Sequence, residues 1–382
     1  KLKAYIGFDC TAPSLHVGSL MQIMCLRLLQ KYGHQPIVLL GGGTTLIGDP
    51  SGKDETRKIL KKKEIEKNIK SIQSIFKIFL SNKNTKVKPI FVNNYSWLNK
   101  LNYINFLREI GKHFTINKML TFDSVKLRLE REQSLSYMEF NYMMLQAYDF
   151  YELNNRYNCF LQIGGSDQWG NIVNGTDLIK RKNKKQAYGL TTPLITTSSG
   201  AKMGKTEKGA IWLNKKLLSA YDYWQFWRNT NDKDVIKFLK LFTDIDTNEI
   251  MKLENTTGDI NKLKILLANQ ATTMLHGLKA AKDSELTANK TFNERSIGES
   301  LPIIKVKKNL LISGINIIEL VMLTTLANTK GEIRRMIKNS GLKINNIVVK
   351  SESEIVNHKN FDEGNNLKVS HGKKQHVIVK II

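Results

Sequence analysis

The chain has 382 residues, of which 41% are hydrophobic and 24% charged, values that exclude a wholly disordered protein and predict two or three domains. There are 59 Lys and Arg residues against 34 Asp and Glu, which gives a formal net charge of +25. Such a surface attracts polyanions, either nucleic acid or an anionic membrane. A lysine-rich genome composition explains the same excess, and composition alone favours that explanation.

Three scattered cysteines form no CxxC pair: Cys10, Cys25 and Cys159. Their odd number and wide spacing argue against a structural zinc site or a disulfide scaffold and favour a reducing, cytoplasmic compartment. The sequence shows no secretory signal, and no metal-ligand cluster that would predict a protein-held metal. Because the chain begins at Lys1 and not at methionine, we expect a short segment to precede it.

Strands and helices alternate through the first half of the chain. Strands are predicted at Tyr5–Asp9, Pro36–Leu40, Pro89–Asn93 and Cys159–Ile163, and helices at Val17–Lys31 and Ile59–Leu80. This alternation predicts an α/β fold in which helices cover a Rossmann-like parallel sheet. Ligands of such sheets bind at the carboxyl ends of the strands.

The segment 9–19 follows the first strand and opens the first helix. A helix N-terminus presents free N–H groups and favours phosphate, and the side chains of Thr11 and His16 can add donors. Gly18 has no side chain, so a flat ring can approach the backbone there. The alternative is that His16 only caps or packs against the helix.

The helix predicted around residue 145 carries three polar groups on one face. Tyr142, Gln146 and Asp149 lie at i, i+4 and i+7. Such groups suit a polar amino-acid ligand, although without further motifs a polar interdomain seam is the favoured explanation. A second candidate is the loop 197–206, in which Lys202 and Lys205 can form a mobile cationic clamp for a phosphoryl group. Its alternative is an exposed lysine loop.

The second half of the chain changes character. From 217 to about 295 the pattern is helical, and a polar stretch at 287–301 is typical of a linker. The apolar stretch 309–327 is interrupted by polar residues, so it predicts a soluble helix and not a membrane span. A helix-turn-helix-like piece at 317–339 is followed by β-branched runs at Ile347–Val349 and Val377–Ile382.

Taken together, the HxGx element after the first strand and the KMxKx-like loop resemble the class I aminoacyl-tRNA synthetases. Four further runs are similar to the bacterial-type tyrosyl-tRNA synthetases, and the similarity extends over nearly the whole chain: Tyr5–Asp9, Gly48–Lys53, Tyr142–Asp149 and Gly164–Asn171. The run Thr329–Lys338 also resembles a small RNA-binding domain first named from a ribosomal small-subunit protein. The expected organisation is a Rossmann-like catalytic domain at 1–214, an α-helical anticodon-side domain at 215–297, a linker at 298–315 and a small α+β RNA-binding domain at 316–382.

The resemblance implies a two-step reaction. L-tyrosine and ATP give tyrosyl adenylate and pyrophosphate, and the tyrosine then passes to the terminal ribose of tRNA(Tyr), with Mg²⁺ expected alongside ATP. For the amino acid, it implies that Asp149 and Tyr5 bind the phenol hydroxyl, and that Gln168 lies near the reacting carboxylate. It also implies that Tyr142, Gln146 and Asp49 bind the α-ammonium group.

The resemblance also implies roles on the nucleotide side. The catalytic set is Thr11, His16, Ser19, Lys202 and Lys205; the ATP-binding set is Asp9, Gly18, Gly165, Asp167, Lys53, Arg57 and Lys205. Ser19 departs from the family pattern, which usually has a second histidine there, and its hydroxyl can still donate a hydrogen bond to a ribose oxygen. Gly204 and Thr206 stand where many class I enzymes have serine, and Ile6 replaces a polar cysteine of some relatives.

The expected partners are tRNA(Tyr) and a second copy of the chain. No membrane partner is expected. Apolar residues within Tyr95–Phe114 suit a dimer seam, and a core role suits them equally. The tail 301–382 holds 14 Lys and Arg against 6 Asp and Glu, which fits an RNA-binding appendage. Its candidate RNA-binding residues share one helix: Arg334, Arg335 and Lys338.

Two alternatives stay open on the sequence alone. A tryptophanyl-type synthetase shares the fold and the chemistry, but an indole offers no hydroxyl for Tyr5 and Asp149 to bind. A non-catalytic RNA-binding protein that keeps the synthetase fold is favoured only by Ser19. Tyrosine-dependent exchange of pyrophosphate into ATP distinguishes all three.

Overall fold

The computed structural model describes residues 1–50, 60–80, 86–200, 203–206, 209–256, 258–290, 301–312, 314–362, 364–372 and 375–382. The chain divides into two compact units. One comprises Lys1–Gly204 with Trp212–Asn214, and the other comprises Lys205–Ile211 with Lys215–Ile382.

The first unit is built on a five-stranded parallel sheet in the order β3-β2-β1-β4-β5. Its strands are β1 Lys3–Asp9, β2 Gln35–Gly41, β3 Ile90–Asn93, β4 Leu161–Gly165 and β5 Tyr188–Thr192. The predicted Rossmann-like fold class is therefore confirmed. The edge strand β5 escapes sequence prediction because it alternates exposed and half-buried residues and lacks an apolar run.

Helices cover this sheet and connect its strands. They are α1 Leu20–Lys31, α2 Thr44–Ile47, α3 Lys62–Leu80, α4 Tyr95–Leu98, α5 Tyr103–Glu109, α6 Ile116–Met119, α7 Asp123–Glu130, α8 Tyr137–Phe140, α9 Tyr142–Tyr157 and α10 Trp169–Asn183. In α3, the residues Ile65, Ile72 and Phe76 recur at helical spacing and are buried, while lysines occupy the outer face. The first predicted helix begins later than expected, because Val17–Ser19 forms a tighter 3₁₀ turn.

The core of this unit lies between the sheet and α9. Tyr5 of β1, Ile37 and Leu39 of β2, and Phe150 and Leu153 of α9 pack together with almost no exposure. This packing holds the C-terminal half of α9 on β1 and β2, and the N-terminal half of the helix borders the carboxyl ends of these strands. The polar face of α9 is thereby brought to the sheet edge where ligands of parallel sheets bind.

The second unit begins with a short strand pair and five helices. The strands are β6 Lys205–Thr206 and β7 Gly209–Ala210; the helices are α11 Ala220–Arg228, α12 Val235–Phe242, α13 Thr247–Thr256, α14 Ile260–His276 and α15 Leu278–Asn289. Trp224 and Trp227 of α11 are buried in the helical core, Trp227 against the rings of Phe238 and Phe242. Over 217–290 the helical pattern agrees with the sequence prediction, and residues 291–295 lie outside the described residues.

The rest of the second unit contains a five-stranded sheet in the order β11-β10-β13-β14-β8. Its elements are β8 Ile303–Val306, α16 Asn309–Ile312, β9 Ile315–Asn316, α17 Ile317–Met322, α18 Lys330–Lys338, β10 Leu342–Ile344, β11 Ile347–Val348, β12 Ile355–Val356, β13 Asn366–His371 and β14 Gln375–Ile381. Helices α17 and α18 contribute Leu320, Ile333 and Met336 to one apolar cluster with Val369 and Val377 of the sheet.

Two expectations for this region differ from the structure. The segment expected as a linker contains β8, which pairs in parallel with β14 and buries Val306; its pairing partner is about 75 residues away, so no local signal marks it. The apolar stretch 309–327 is not one helix, and that prediction is wrong. Gly314 has φ +78°, a left-handed conformation that interrupts a helix, and Asn316 caps a new one by accepting from the Ile318 N–H.

No helix in the described part of the chain is both long enough and apolar enough to cross a membrane.

Candidate active site

A cavity of about 280 Å³ opens at the carboxyl ends of β1 and β4, beside the N-terminal half of α9. Twelve of the residues singled out in the sequence line it: Tyr5, Asp9, His16, Gly18, Ser19, Asp49, Tyr142, Gln146, Asp149, Gly165, Asp167 and Gln168. They come from segments spread between positions 5 and 168 of the sequence. The fold therefore gathers them at the sheet edge where the topology predicts a ligand.

One carboxylate lies at the bottom of the cavity. Asp149 is 1% exposed, and its two oxygens accept hydrogen bonds from Nδ2 of Asn94 at 2.8 Å and Nε1 of Trp97 at 2.7 Å. Burial raises the pKa of Asp149 to about 7, while the two donors hold it down because they stabilise the ionised form. Asp149 is therefore a buried acceptor that can still receive a hydrogen bond from a ligand hydroxyl.

A buried hydroxyl faces the same cavity. Tyr5 is 0% exposed, and its Oη has no hydrogen-bond partner among the described residues. Burial and the negative charge of Asp149 raise its pKa well above the ordinary value, so the phenol stays protonated. An unsatisfied buried hydroxyl costs about 1–3 kcal/mol. A ligand hydroxyl between Tyr5 and Asp149 satisfies both groups, by accepting from one and donating to the other.

A hydrogen-bonded chain leads from Asp149 toward the opening. Nδ2 of Asn94 also donates to Oγ1 of Thr44 at 3.0 Å, and Thr44 donates to Oδ1 of Asp9 at 2.8 Å. The hydroxyl of Tyr142 donates to Oδ2 of Asp9 at 3.1 Å. Because its proton points at Asp9, the oxygen of Tyr142 can accept from a ligand cation.

Amide side chains form a second network across the cavity. Nε2 of Gln168 donates to Oδ2 of Asp49 at 2.9 Å, and Nε2 of Gln146 donates to Oε1 of Gln168 at 3.3 Å. Asn171, 4% exposed on α10, donates from Nδ2 to Oε1 of Gln146 at 3.0 Å and to Oε1 of Gln168 at 3.2 Å. The four side chains therefore fix one another's orientation.

Sequence reasoning did not single out four side chains of these networks: Thr44, Asn94, Trp97 and Asn171. A signal exists for three of them. Thr44 follows the glycine run at the end of β2, and Asn94 and Trp97 follow the neighbouring strand β3, so parallel pairing predicts that they meet. Asn171 lies on α10 one turn beyond Gln168, which is visible only once the helix start is known.

The nucleotide-side residues occupy the 3₁₀ turn before α1. Nδ1 of His16 accepts the Gly18 N–H at 3.0 Å, and its ring lies edge-on to Trp212 at 6.3 Å between centroids. His16 is thus both a cap and a cavity residue, so the two interpretations of it are compatible. Ser19 lines the cavity, whereas Thr11 is exposed and lies outside the lining.

The second predicted phosphate element is described only in part. Gly204 has φ +97°, and a Cβ there would lie 2.5 Å from the Gly18 nitrogen, so the two glycine backbones approach closely. Lys205 begins the short strand β6. Lys53, Arg57 and Lys202 lie outside the described residues.

The predicted RNA-binding side chains lie on α18 in the second unit. A capping box between Thr329 and Glu332 starts this helix, and Ile333 and Met336 anchor it. Nε of Arg334 forms an ion pair with Glu352 at 3.1 Å on an exposed surface. Arg335 and Lys338 are exposed in the last turn.

The three cysteines are free thiols, with Cys10 and Cys159 buried. Burial raises the pKa of both thiols to about 12, so they remain protonated. Within the described ranges, no group of three His, Cys, Asp or Glu side chains is placed to hold a metal ion.

Comparison with known proteins agrees with this geometry. Residues 1–293 match the family model described as tRNA synthetases class I (W and Y). The full chain is 64% identical to the tyrosine–tRNA ligase of Pelagibacter ubique and 52% identical to that of Rickettsia felis, and it spans 93% of each relative. A crystal structure of a C-terminally truncated Aspergillus nidulans mitochondrial tyrosyl-tRNA synthetase matches with a TM-score of 0.69 at 30% identity, over 76% of this chain and 86% of that one.

Because the family model covers more than half of the chain and the relatives match it over its full length, the chain belongs to the class I tRNA synthetases, and within them to the tyrosine–tRNA ligases.

Proposed function

We propose that the cavity activates L-tyrosine with ATP, giving tyrosyl adenylate and pyrophosphate, and that the tyrosine is then transferred to tRNA(Tyr). The observation that carries this function is that two complementary buried groups line one cavity. They are the Tyr5 hydroxyl, which has no partner among the described residues, and the Asp149 carboxylate, which can accept a hydrogen bond. A tyrosine phenol satisfies both, and neither phenylalanine nor tryptophan offers a hydroxyl. The full-length relatives favour this function over the tryptophanyl-type and non-catalytic alternatives.

The polar end of the amino acid fits the two networks nearer the opening. An α-ammonium group has only donors, so it needs acceptors: the Asp49 carboxylate, Oε1 of Gln146 and the Tyr142 oxygen. Gln168 offers an N–H on the side of Asp49, which suits the substrate carboxylate. These roles place the carboxylate on the nucleotide side of the cavity, near Asp167 and Gly165.

The first step needs no protein base, because the substrate carboxylate is ionised at neutral pH. A carboxylate oxygen attacks the α-phosphorus of ATP, a new P–O bond forms, and the bond to the β-phosphate bridging oxygen breaks as pyrophosphate leaves. Catalysis then rests on positioning and on charge stabilisation. We assign the latter to Thr11, His16, Ser19, Lys202 and Lys205, with Lys53 and Arg57 toward pyrophosphate; Asp9, Gly18, Gly165 and Asp167 hold the nucleotide.

Magnesium fits this scheme as an ion bound to ATP. We propose that this Mg²⁺ is held mainly by phosphate oxygens of ATP. When bound there, Mg²⁺ offsets phosphate charge.

In the second step, a hydroxyl of the terminal tRNA ribose attacks the tyrosyl carbonyl, and AMP leaves with the former carboxylate oxygen. We assign tRNA contacts to Arg334, Arg335 and Lys338 on α18. The proposed domains are catalytic at 1–214, α-helical at 215–297 and RNA-binding at 316–382. The segment 298–315 connects the proposed α-helical and RNA-binding domains, and its strand β8 is part of the sheet of the RNA-binding domain.

A homodimer is part of the proposal. Tyr103, Ile104 and Tyr137 are 59%, 67% and 66% exposed. The hydroxyls of Tyr103 and Tyr137 lie 3.1 Å apart, and Ile104 follows Tyr103 in α5, so exposed apolar side chains are concentrated in this part of the first unit. Apolar surface of this kind is typical of protein interfaces. We also propose a cytoplasmic location, where ATP and tRNA are found.

The function is tested by amino-acid-dependent exchange of labelled pyrophosphate into ATP, with tyrosine, tryptophan and phenylalanine supplied separately. Exchange with tyrosine alone is expected. Sites built around a substrate hydroxyl reject the analogue lacking it by about 10⁴–10⁵-fold, a value known for enzymes of this very type. Exchange that is supported by tryptophan would refute the proposal. So would a lack of exchange with every amino acid supplied.

A further inference from the structure

We propose that Asn171 is a positioning residue that determines which end of the Gln168 and Gln146 amides faces the bound amino acid. The inference rests on the proposed function, because it assigns the substrate carboxylate to the side of Gln168. Asn171 itself does not line the cavity. It acts through the two glutamines to which its amino group donates, at 3.0 and 3.2 Å.

The direction of the network is set at Asp49. An ionised carboxylate can only accept, so Nε2 of Gln168 must face Asp49, and Oε1 must face the opposite way. That oxygen then receives two hydrogen bonds, from Asn171 and from Gln146, which occupy both of its lone pairs. Toward a ligand, Gln168 can present only an N–H.

Asn171 extends this polarity to Gln146. The second amide hydrogen of Asn171 reaches Oε1 of Gln146, so Nε2 of Gln146 is directed to Gln168. A side chain at 171 that donates twice is therefore matched to two glutamine carbonyls at once. Asn171 is 4% exposed, so water does not readily replace these donors.

An aspartate at this position has nearly the same shape and the opposite polarity. Its carboxylate would face two carbonyl oxygens, and rotation of both glutamine amides would relieve that contact. Rotation would turn Oε1 of Gln168 toward Asp49 and the substrate carboxylate, where oxygen would oppose oxygen. Without rotation, repulsion would displace the glutamines. Either way, the N–H offered to the carboxylate is lost.

The carboxylate and the ammonium group should therefore respond differently to Asn171→Asp. A ligand carboxylate loses a donor and meets extra negative charge. An ammonium group loses at most Oε1 of Gln146 as an acceptor, keeps Asp49 and the Tyr142 oxygen, and is attracted by the added negative charge. L-tyrosine has both groups, and tyramine is the same phenol and amine without the carboxylate. The ratio of their dissociation constants isolates the effect on the carboxylate from any general damage to the cavity.

The experiment measures binding of L-tyrosine and of tyramine to the full chain by calorimetry, with Asn174→Asp as the matched control. Asn174 lies three residues further along α10, is equally buried at 4%, and its Nδ2 has no partner among the described residues. Asn171→Asp is expected to raise the ratio of the tyrosine to the tyramine dissociation constant by at least about tenfold. A change of this size in affinity corresponds to the loss of one hydrogen bond to a charged group. Asn174→Asp is expected to leave that ratio unchanged.

Thermal unfolding establishes that each variant is folded, and Asn171→Ala is measured alongside. If Asn171→Asp fails to fold, the alanine variant decides, since it removes both donors without adding charge and should still raise the ratio several-fold. Equal weakening of both ligands, an unchanged ratio in the folded Asn171 variants, or the same shift in Asn174→Asp would overturn the proposal. Wild-type exchange with tyrosine tests the proposed function separately.

Discussion

The indole Nε1–H of Trp97 donates a 2.7 Å hydrogen bond to Oδ1 of Asp149, whose side chain is almost completely buried. The bond stabilises the ionised carboxylate against the desolvation that raises its pKa to about 7. Trp97 is 4% exposed on the short helix α4, so its indole is held in place by packing. Together with Asn94, a tryptophan outside the predicted site thus lowers the pKa of a carboxylate inside it.

Tyrosine binding is expected to depend on pH near neutrality. A phenol donates best to an ionised carboxylate, so the KM for tyrosine should fall as pH rises through about 7, the pKa of Asp149. Trp97→Phe removes one donor to the ionised form and should move this midpoint upward by about one unit, because a hydrogen bond to a charged group is worth about 1.5–3 kcal/mol. The measurement is the KM for tyrosine in pyrophosphate exchange from pH 6 to 9 (roughly the range around that pKa).

Asp149→Asn serves as the control, because it has no carboxylate to titrate and should show weak binding with no step near neutral pH. A midpoint that stays in place or moves to lower pH in Trp97→Phe would contradict the assignment.

The Tyr5 hydroxyl is expected to lower stability while it improves binding. Tyr5→Phe removes a buried hydroxyl without a partner among the described residues, so the free energy of unfolding should stay constant or rise by up to about 1 kcal/mol. The KM for tyrosine should rise about three- to tenfold, and discrimination against phenylalanine should fall by the same factor. Urea unfolding and exchange kinetics measure the two effects.

Tyr221→Phe provides the opposite case for stability. Its hydroxyl accepts from Nε2 of Gln225 at 2.9 Å inside the helical part of the second unit, so its removal should lower the free energy of unfolding by about 1 kcal/mol. If Tyr5→Phe destabilises the chain as much as Tyr221→Phe does, Tyr5 is not poised for a ligand.

Lys205 is expected to act on the transition state and not on amino-acid binding. One contact to developing phosphate charge is worth about 3–4 kcal/mol, so Lys205→Ala should slow adenylate formation by about 10²–10³-fold. The dissociation constant for tyrosine should change by less than about twofold. Single-turnover adenylation and equilibrium tyrosine binding separate the two quantities. An equal loss in both would show that Lys205 is not part of the phosphate clamp.

Arg335 is expected to contribute more to tRNA binding than Arg334. Arg334 is already paired with Glu352, whereas Arg335 is exposed in the last turn of α18. Arg335→Ala should weaken tRNA(Tyr) binding and reduce the slope of log affinity against log salt by about one, with tyrosine-dependent exchange unaffected. Arg334→Ala should change the slope less. Charging of tRNA that is insensitive to both variants would argue against α18 as an RNA contact.

Local periodicity was sufficient to predict part of the site and insufficient for the rest. One face of α9 carries Tyr142, Gln146 and Asp149, because a helix has 3.6 residues per turn. This spacing is visible in the sequence itself. Thr44 lines the same cavity, and Asn94 bonds to both Thr44 and Asp149, only because β2 and β3 pair side by side; the two residues are 50 positions apart in sequence. Their roles depend on strand order, which local patterns do not contain.

The same limit explains the misjudged tail. Strand β8 is short, alternates exposed residues with one half-buried and one buried residue, and is defined by its partner β14. Gly314 divides the apolar stretch through its positive φ, and a lone glycine in an apolar run does not show from sequence which conformation it adopts. Fold class, in contrast, depends on the sum of many alternating segments and tolerates such local errors.

Gly204 is expected to be more sensitive to substitution than its neighbour in the same loop. Gly200 and Gly204 both have positive φ, +80° and +97°, so a Cβ strains either backbone by about 1–3 kcal/mol. Only at Gly204 would the Cβ also meet the Gly18 nitrogen, at 2.5 Å, whereas at Gly200 no atom of the described residues that are not its chain neighbours lies within 4 Å. Gly204→Ala should therefore push the lysine-bearing loop away from the 3₁₀ turn that contains His16 and Gly18.

The expected result is a fall in the rate of adenylate formation for Gly204→Ala at least about tenfold larger than for Gly200→Ala, since more than about 1.4 kcal/mol of transition-state contact depends on the approach. Tyrosine binding should be unchanged in both variants, because the amino-acid networks around Asp149 and Asp49 do not include the loop. Equal rates in the two variants would mean that backbone strain alone matters. The contact between Gly204 and Gly18 would then have no part in bringing the clamp to the phosphates.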